Sequence, residues 1–286
     1  KQMDNLKAKK RHPEEIAVYS AIYVCAAFSV LLLLGIIIYV FAKGARRVNW
    51  AFLTGVTSIL HGTVGIAGNI LNTLIIILLI ITTPIGVGAA IYLNEYAKPG
   101  KLVTVIIFAT ETLAGIPSII FGLFGMLFFG QLCHMGYSLL TGSLTLTLMV
   151  LPLVTRNTQE ALKTVPDSFR TGAVGLGAGK WYTIRTILLP SAMPGIVTGV
   201  ILAIGRIIGE SAALLFTAGS AHLLPKTFDA FLEKIFHSGG TLTIQLYLSA
   251  SKGEFEVAFG IAVVLLVIVL LINFGTKRLA KKLEKH

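Results

Sequence analysis

Six long apolar stretches constrain the fold of this 286-residue chain more than any other feature of its sequence. A helix that spans the hydrocarbon core of a bilayer needs about 20 predominantly apolar residues. The stretches that reach this length cover residues 16–42, 65–93, 102–130, 136–155, 191–219 and 257–276. Only Glu111, Arg206 and Glu210 are charged within them, and charged residues make up 13% of the chain, against about 25% in soluble domains. The sequence therefore predicts an all-α polytopic membrane protein with six transmembrane helices.

The distribution of lysine and arginine predicts the orientation of these helices. The two termini, the turn at 95–101 and the long connection at 156–190 contain 17 of these residues, and the remaining connections contain 6. Basic residues concentrate in cytoplasmic loops, so we expect both termini and the long connection in the cytoplasm of a bacterial inner-membrane protein. Lys43, Arg46 and Arg47, directly after the first span, locally oppose this rule. The basic residues lie at the ends of apolar runs, which favours the lipid bilayer as a partner and argues against nucleic acid.

The long connection contains the signals of a short helix. Pro166, Asp167 and Ser168 favour a helix start, because proline fixes φ and the Asp or Ser side chain caps the first amides. Four glycines then permit a sharp reversal of the chain; they are Gly172, Gly175, Gly177 and Gly179. We interpret this helix as a docking site for a cytoplasmic partner, although an ordinary amphipathic re-entry helix has the same pattern.

The same connection resembles the EAA loop of ABC importer permeases. The matching pattern is Thr171-Gly172-Ala173-x-x-x-Gly177, followed after nine residues by Ile187-x-Leu189-Pro190. Thr171 and Gly172 stand where the family has a glutamate and its first alanine. The resemblance implies an ABC type I importer permease fold, in which residues 156–190 form a coupling loop that contacts a separate ATPase subunit dimer.

The fifth apolar stretch contains two charged residues, Arg206 and Glu210, four positions apart. Residues at this spacing share one face of a helix, and a charge at the centre of a span costs about 2.5–3.5 kcal/mol on insertion scales. Gly205, Gly209 and Ser211 leave room beside them for a neighbouring helix or a solute. Either the two charges neutralise each other and hold helices together, or Arg206 binds an anion in transit while Glu210 holds the arginine or accepts a phosphate hydroxyl hydrogen. The planar guanidinium suits bidentate recognition of phosphate or carboxylate.

Three motifs resemble the permease subunits of phosphate ABC importers, and the PstA type is favoured over its PstC partner. They are Tyr92-Leu93-x-Glu95-Tyr96, Pro117-Ser118-Ile119-x-x-Gly122-Leu123 and Ala203-x-x-Arg206-x-x-Gly209-Glu210-x-Ala212-x-Leu214-Leu215-Phe216-Thr217-Ala218. The resemblance implies that Arg206 and Glu210 act in phosphate translocation, with Ser211 beside them. Pro117 removes a helical hydrogen bond and should bend the third span. Ser118 and the freed carbonyls then line the substrate path, unless the bend is a plain kink.

These observations lead to one function hypothesis and two alternatives. The chain is expected to be a permease subunit of an ATP-driven importer for inorganic phosphate, with a PstC-like companion permease, a PstB-like ATPase dimer and a PstS-like periplasmic binding protein. The predicted regions are a basic tail (1–15), a first helix with its periplasmic loop (16–64), the permease core (65–276) and a second basic tail (277–286). The alternatives are an importer of another oxyanion, such as sulfate or molybdate, and a self-sufficient secondary transporter or channel. No nucleophile–base pair, metal-ligand spacing, cofactor motif or P-loop in the sequence predicts an enzyme.

Overall fold

Helices dominate the computed structural model, which describes residues 13–58, 63–225 and 227–283. The α-helices are α1 (Pro13–Gly44), α2 (Trp50–Thr54), α3 (Ala67–Leu79), α4 (Thr82–Ile91), α5 (Lys101–Ala114), α6 (Ser118–Gly125), α7 (Leu139–Lys163), α8 (Asp167–Gly175), α9 (Lys180–Thr183), α10 (Leu189–Ile208), α11 (Ala212–Thr217), α12 (Phe228–Glu233), α13 (Leu242–Ser251) and α14 (Phe255–Leu283). Short 3-10 turns lie at Ala45–Arg47 and Lys234–Phe236, and π-helical turns at Tyr92–Tyr96, Met126–Leu132 and Ile184–Leu188. Two short strands, β1 (Val56–Ser58) and β2 (Thr63–Ile66), pair antiparallel. The fold is therefore of the predicted all-α class with one small strand pair.

Five helical segments in the described part of the chain are long and apolar enough to span a membrane. They are Ala17–Arg47, Ala67–Tyr96, Leu139–Lys163, Lys180–Ile208 and Phe255–Arg278. A sixth span requires α5 together with α6 and the π-helical turn that continues it, and these two parts meet at an angle of 104°. Pro117 lies at the break, as predicted, because it lacks the amide that would continue the helical hydrogen bonds. Counted with this bent pair, the spans number six, in agreement with the sequence.

α7 is the most buried of these spans. Its start is capped by Ser138, whose Oγ accepts the amide of Thr141 at 3.1 Å. Buried hydroxyls along the helix are satisfied by its own backbone: Ser143 Oγ donates to the Leu139 carbonyl at 2.7 Å, and Thr147 Oγ1 donates to the Ser143 carbonyl at 2.8 Å. Because these small polar side chains need no partner from other helices, the neighbours of α7 can pack closely around it.

α10 packs against α7 through two glycines one turn apart. A Cβ at Gly195 would lie 2.6 Å from the Cβ of Ala161, and a Cβ at Gly199 would lie 2.6 Å from the Cβ of Asn157. Small residues at such crossings let two helices approach closely, which is a main source of packing energy inside a membrane. The α7–α10 pair is therefore a tightly packed unit that runs through the bundle.

The contacts distinguish two ends of the bundle. Gly44, at the end of α1, packs so closely on Phe259, near the start of α14, that a Cβ would collide with the Phe259 carbonyl. At the opposite end, α8 contacts the turn after α4 through Arg170 and Glu95. We call the first the loop end, which comprises residues 44–58, 219–225 and 227–254. We call the second the coupling end, which comprises residues 92–101 and 163–184. Because α1 ends and α14 begins at the loop end, the start of α1 and the end of α14 both point away from it.

Candidate coupling surface and translocation site

α8 is the short helix that the sequence predicted in the long connection. It begins at Asp167, directly after Pro166, and ends at Gly175. Gly177 follows with a φ of 79°, a left-handed conformation that favours glycine because it has no Cβ. The chain turns there towards α9, so the prediction of a short helix closed by glycines is confirmed.

The coupling end carries an exposed apolar surface. Its large side chains are Phe169, Val174, Leu176, Trp181 and Tyr182, of which Leu176 is the most exposed at 91%. Contiguous exposed apolar side chains on a folded protein mark sites of interaction. We call these five residues the apolar coupling surface.

The first half of the EAA-like pattern lies on α8 and just beyond it. Ala173 is buried, whereas Thr171, Gly172 and Gly177 are exposed. Thr171 Oγ1 donates to the backbone carbonyl of Asp167 at 3.2 Å. The hydroxyl is therefore satisfied within the helix, and α8 has no carboxylate at the position of the family's glutamate.

The second half of the pattern marks the entry into α10. Ile187 lies in the preceding π-helical turn, and Leu189 and Pro190 begin α10 itself. Proline is favoured in the first helical turn because its missing amide would have no acceptor within the helix. Ile187 and Leu189 are half-buried and Pro190 is exposed, and Leu189 packs against a buried apolar cluster that includes Leu162. This half fastens the connection to the bundle.

Arg170 joins α8 to the end of the second span, and sequence reasoning missed it. Its Nη2 lies 2.9 Å from Glu95 Oε1 and donates to the Leu162 carbonyl at 3.0 Å. Its Nη1 donates to the Val165 carbonyl and to Asp167 Oδ1, each at 3.0 Å. The hydrogen bond to the Glu95 carboxylate, whose side chain is only 9% exposed, raises the pKa of Arg170 above its usual value. Arg170 therefore holds α8 in a fixed position against the bundle.

Further contacts strengthen the same junction. Asn94 Nδ2 donates to Glu95 Oε1 at 2.7 Å, and Lys180 Nζ lies 4.8 Å from the centroid of the Tyr96 ring. Glu95 stood in one of the motifs that the sequence singled out, but 75 residues separate it from Arg170. No helical or strand spacing links residues so far apart, so the pair becomes visible only in the folded chain.

The fifth span is interrupted at residues 209–211, between α10 and α11. Arg206 and Glu210 therefore do not share one helix face as expected, because α10 ends at Ile208, before Glu210. Glu210 instead caps α11, with its Oε1 accepting the amide of Ala213 at 3.1 Å. Its backbone carbonyl accepts Thr243 Oγ1 at 2.8 Å, which ties the break to the start of α13.

Arg206 lies in the last turn of α10 and is half-buried. Within the described ranges, no ion pair and no hydrogen bond joins its guanidinium to another residue. The donors of this guanidinium are therefore available to an acceptor from outside the described residues. Ser211, also half-buried, lies in the break that follows.

The two interrupted spans lie next to each other. α6 packs against α11 so closely that a Cβ at Gly122 would lie 2.8 Å from the Cα of Ala213. Pro117 is exposed and Ser118 is half-buried at the start of α6. Non-helical backbone at membrane depth is tolerated where it is buried in protein or lines a cavity. The predicted break in the third span and the unpredicted break in the fifth span are thus followed by helices in direct contact.

A buried polar network closes the loop end. The Nδ2 atoms of Asn69 and Asn72 each donate to the Gly240 carbonyl at 2.9 Å. Lys234 is 7% exposed and its ammonium donates to the Leu223 carbonyl, and burial lowers the pKa of this lysine. The long connection after α11 is therefore fastened onto the bundle.

Comparison with known proteins identifies the class to which this fold belongs. Residues 82–286 match the family described as binding-protein-dependent transport system inner membrane component. The chain belongs to this family, which confirms the predicted ABC permease assignment. It is a membrane-embedded transport subunit.

Relatives within this class include phosphate permeases. The chain is 34% identical over 273 residues to the probable ABC transporter permease protein YqgI of Bacillus subtilis (strain 168), covering 91% of this chain and 93% of that protein. It is 34% identical over 244 residues to the phosphate transport system permease protein PstA of Xylella fastidiosa (strain Temecula1 / ATCC 700964), covering 83% of this chain and 82% of that protein. The chain is thus similar to PstA-type permeases over most of its length.

Solved structures support the same fold. The chain superposes with a TM-score of 0.68 and 14% identity on a chain of a bacterial alginate ABC transporter, covering 95% of this chain and 96% of that one. It superposes with a TM-score of 0.60 and 22% identity on a chain of the inward-facing MetNI methionine ABC transporter, covering 77% of this chain and 94% of that one. The predicted ABC importer permease fold is therefore confirmed.

Proposed function

We propose that this chain is a permease subunit of an ATP-driven importer for inorganic phosphate. The observation that carries the proposal is the guanidinium of Arg206, a half-buried residue, which has no acceptor among the side chains and carbonyls of the described residues. A tetrahedral oxyanion supplies paired acceptors in the geometry that guanidinium requires. The similarity to several permeases named for phosphate transport supports phosphate as that anion.

The substrate path of this proposal passes the two interrupted spans. Arg206 binds the anion, and Ser211 and Ser118 contribute hydroxyls beside the two breaks, the second of which follows Pro117. Glu210 accepts the amide of Ala213 in this structure. In another state of the transport cycle it releases this amide and binds a phosphate hydroxyl or Arg206 instead. A companion permease provides the other half of the path.

The proposal assigns coupling to α8 and the apolar coupling surface. A separate ATPase dimer binds this surface, and closure of the dimer on ATP moves α8. The motion reaches the second span through the Arg170–Glu95 ion pair and reaches α10 through Ile187, Leu189 and Pro190. In this arrangement the coupling end and both termini lie in the cytoplasm, and a phosphate-binding protein delivers its ligand at the loop end.

Reconstitution tests both the substrate and the energy source. Proteoliposomes are prepared with the chain, a companion permease and an ATPase dimer. They should take up radiolabelled phosphate only when ATP is enclosed inside the vesicles and the binding protein is present outside. A large excess of sulfate or molybdate should reduce uptake by less than twofold. Strong competition by either anion would assign the chain to another oxyanion importer, and uptake by the chain alone, without ATP, would assign it to the secondary transporters or channels.

A further inference from the structure

A cavity of about 960 Å³ lies at the loop end, between the end of α1 and the start of α14. We call it the basic pocket; its lining is Tyr39, Ala42, Lys43, Arg46, Arg47, Phe255, Glu256 and Phe259. None of these residues takes part in the substrate path or the coupling surface. The pocket also contains the three basic residues that oppose the positive-inside distribution of the rest of the chain.

The cations of the basic pocket are not neutralised by the protein. In the described part of the chain, the side chains of Lys43, Arg46 and Arg47 form no ion pair and donate no hydrogen bond, although Glu256 lines the same pocket. Lys43 and Arg47 lie over the rings of Tyr39 and Phe52, respectively, which carry no net charge. The Nε atom of Arg47 is buried and has no partner. Three cations and one carboxylate leave an excess of positive charge around an open cavity. This arrangement favours the binding of an anion.

The pocket adjoins the apolar outer surface of α1. The window of α1 that spans the membrane has no buried residue, and α1 meets the bundle at α14, where the Tyr39 and Phe259 rings pack edge to face at 5.6 Å. Aromatic side chains concentrate at the level of the headgroups. An acyl chain can therefore lie along α1 and α14 while its headgroup occupies the pocket.

We infer that the basic pocket binds the phosphodiester headgroup of an anionic phospholipid. Lys43 and Arg46, both exposed at the pocket, bind the phosphate oxygens, and the arginine can do so in a bidentate manner. Glu256 disfavours ligands with two negative charges, such as the dianion of inorganic phosphate, over a phosphodiester with one. The apolar surface of α1 favours a lipid over any free anion.

The inference explains why the three basic residues follow the first span. Orientation depends on the overall excess of basic residues in the loops, so a local cluster on the other side is tolerated when other loops outweigh it. A bound anionic lipid neutralises the cluster at the membrane surface and strengthens the contact of α1 with α14. The inference holds for any transported anion.

Lipid retention by the assembled transporter tests the inference. The complex of permeases and ATPase is purified in nanodiscs of phosphatidylcholine mixed with phosphatidylglycerol as the probe. It is then released into detergent and measured by native mass spectrometry. The parent should retain phosphatidylglycerol in preference to phosphatidylcholine. In the double variant Lys43→Gln, Arg46→Gln, the retained phosphatidylglycerol should fall at least fivefold relative to the parent. Lys252 is exposed at the same end but lies outside the pocket, so Lys252→Gln should retain as much as the parent.

Two further arms distinguish the sources of the phosphate group. Glu256→Gln should raise phosphatidylglycerol retention, and inorganic phosphate at millimolar concentration should leave parent retention unchanged. Equal retention of the two lipids by the parent, unchanged retention in the double variant, or displacement by inorganic phosphate would each overturn the inference. Loss of the companion permease from the double variant during size-exclusion chromatography would also overturn it, since the pocket would then be a subunit contact. Phosphate uptake measured on the same samples reports separately on the proposed transport function.

Discussion

Arg170 and Arg206 are two arginines of one transport unit with opposite surroundings. Arg170, at the coupling end, uses Nε, Nη1 and Nη2 to bind two carboxylates and two backbone carbonyls. Arg206, in the fifth span, has no partner anywhere in the described ranges. Both side chains are partly shielded from solvent, so the difference lies in the acceptors that the fold supplies.

This difference separates a positioning role from a binding role. A guanidinium with all its donors engaged fixes the elements that it joins, and the loss of one partner leaves a buried charge on the other. A guanidinium without partners is held ready for acceptors that come from outside the chain. Arg170 therefore acts on the geometry of coupling, and Arg206 acts on the transported anion.

Replacement of Arg206 should have the largest effect on transport. Arg206→Gln removes the charge and the fork of donors, and charged hydrogen bonds contribute about 1.5–3 kcal/mol each, so phosphate uptake should fall by about 100-fold. Arg206→Lys keeps the charge without the fork and should retain intermediate uptake. Uptake of radiolabelled phosphate by proteoliposomes is the measurement, with complex assembly followed by size-exclusion chromatography.

Arg278→Gln is a matched control for this prediction, because Arg278 is exposed on α14 and, among the described residues, loses only its cation–π contact with Phe274. It should leave uptake within twofold of the parent. If Arg206→Gln also stays within twofold, the missing partners of Arg206 have no bearing on transport, and the contrast between the two arginines is only structural.

Disruption of the Arg170–Glu95 pair should have the second-largest effect, on coupling rather than on anion binding. Arg170→Glu places two carboxylates together at a site where Glu95 is 9% exposed, and breaking a buried pair costs about 3 kcal/mol. Uptake should fall about tenfold or more, while ATP hydrolysis loses its stimulation by the loaded binding protein. The reversed pair, Arg170→Glu with Glu95→Arg, should recover part of the uptake because the two charges attract again.

A purely structural role of this pair predicts a different outcome. In that case the reversed pair would recover the thermal stability of the complex, and ATP hydrolysis in Arg170→Glu would remain stimulated by the binding protein in the fraction that assembles. The surface pair Arg156–Glu160, with both side chains more than half exposed, is the control. Exposed pairs contribute at most about 1 kcal/mol, so reversal of its charges should not alter the stimulation.

The sequence predicted what local patterns can encode. Apolar length predicted the spans, Pro117 predicted the break in the third span, and Pro166 with Gly177 predicted the short helix α8. The break beside Glu210 was missed, because the apolar run continues across it and the hydroxyl that binds the Glu210 carbonyl comes from Thr243, a residue distant in the sequence. The Arg170–Glu95 pair was missed because its partners are joined by folding across 75 residues, and no periodicity reports such a contact.

A change in the packing between α7 and α10 should have the smallest effect. These two helices connect the two arginines, because α10 carries Arg206 and the chain that leaves α7 leads to Arg170. Gly199→Ala brings a methyl group to 2.6 Å from the Cβ of Asn157, a position that cannot rotate away. Overpacking of this kind typically costs about 1–3 kcal/mol, so the thermal midpoint of the complex should fall by a few degrees. Phosphate uptake and its coupling to ATP hydrolysis should decline together and by no more than a few-fold, since both arginines keep their own surroundings.

Gly35→Ala is the control, because no atom lies within 4 Å of its added Cβ and α1 should tolerate it without loss. A decline of uptake alone, with stimulated hydrolysis intact, would mean that Arg206 and Arg170 are not connected through this packing.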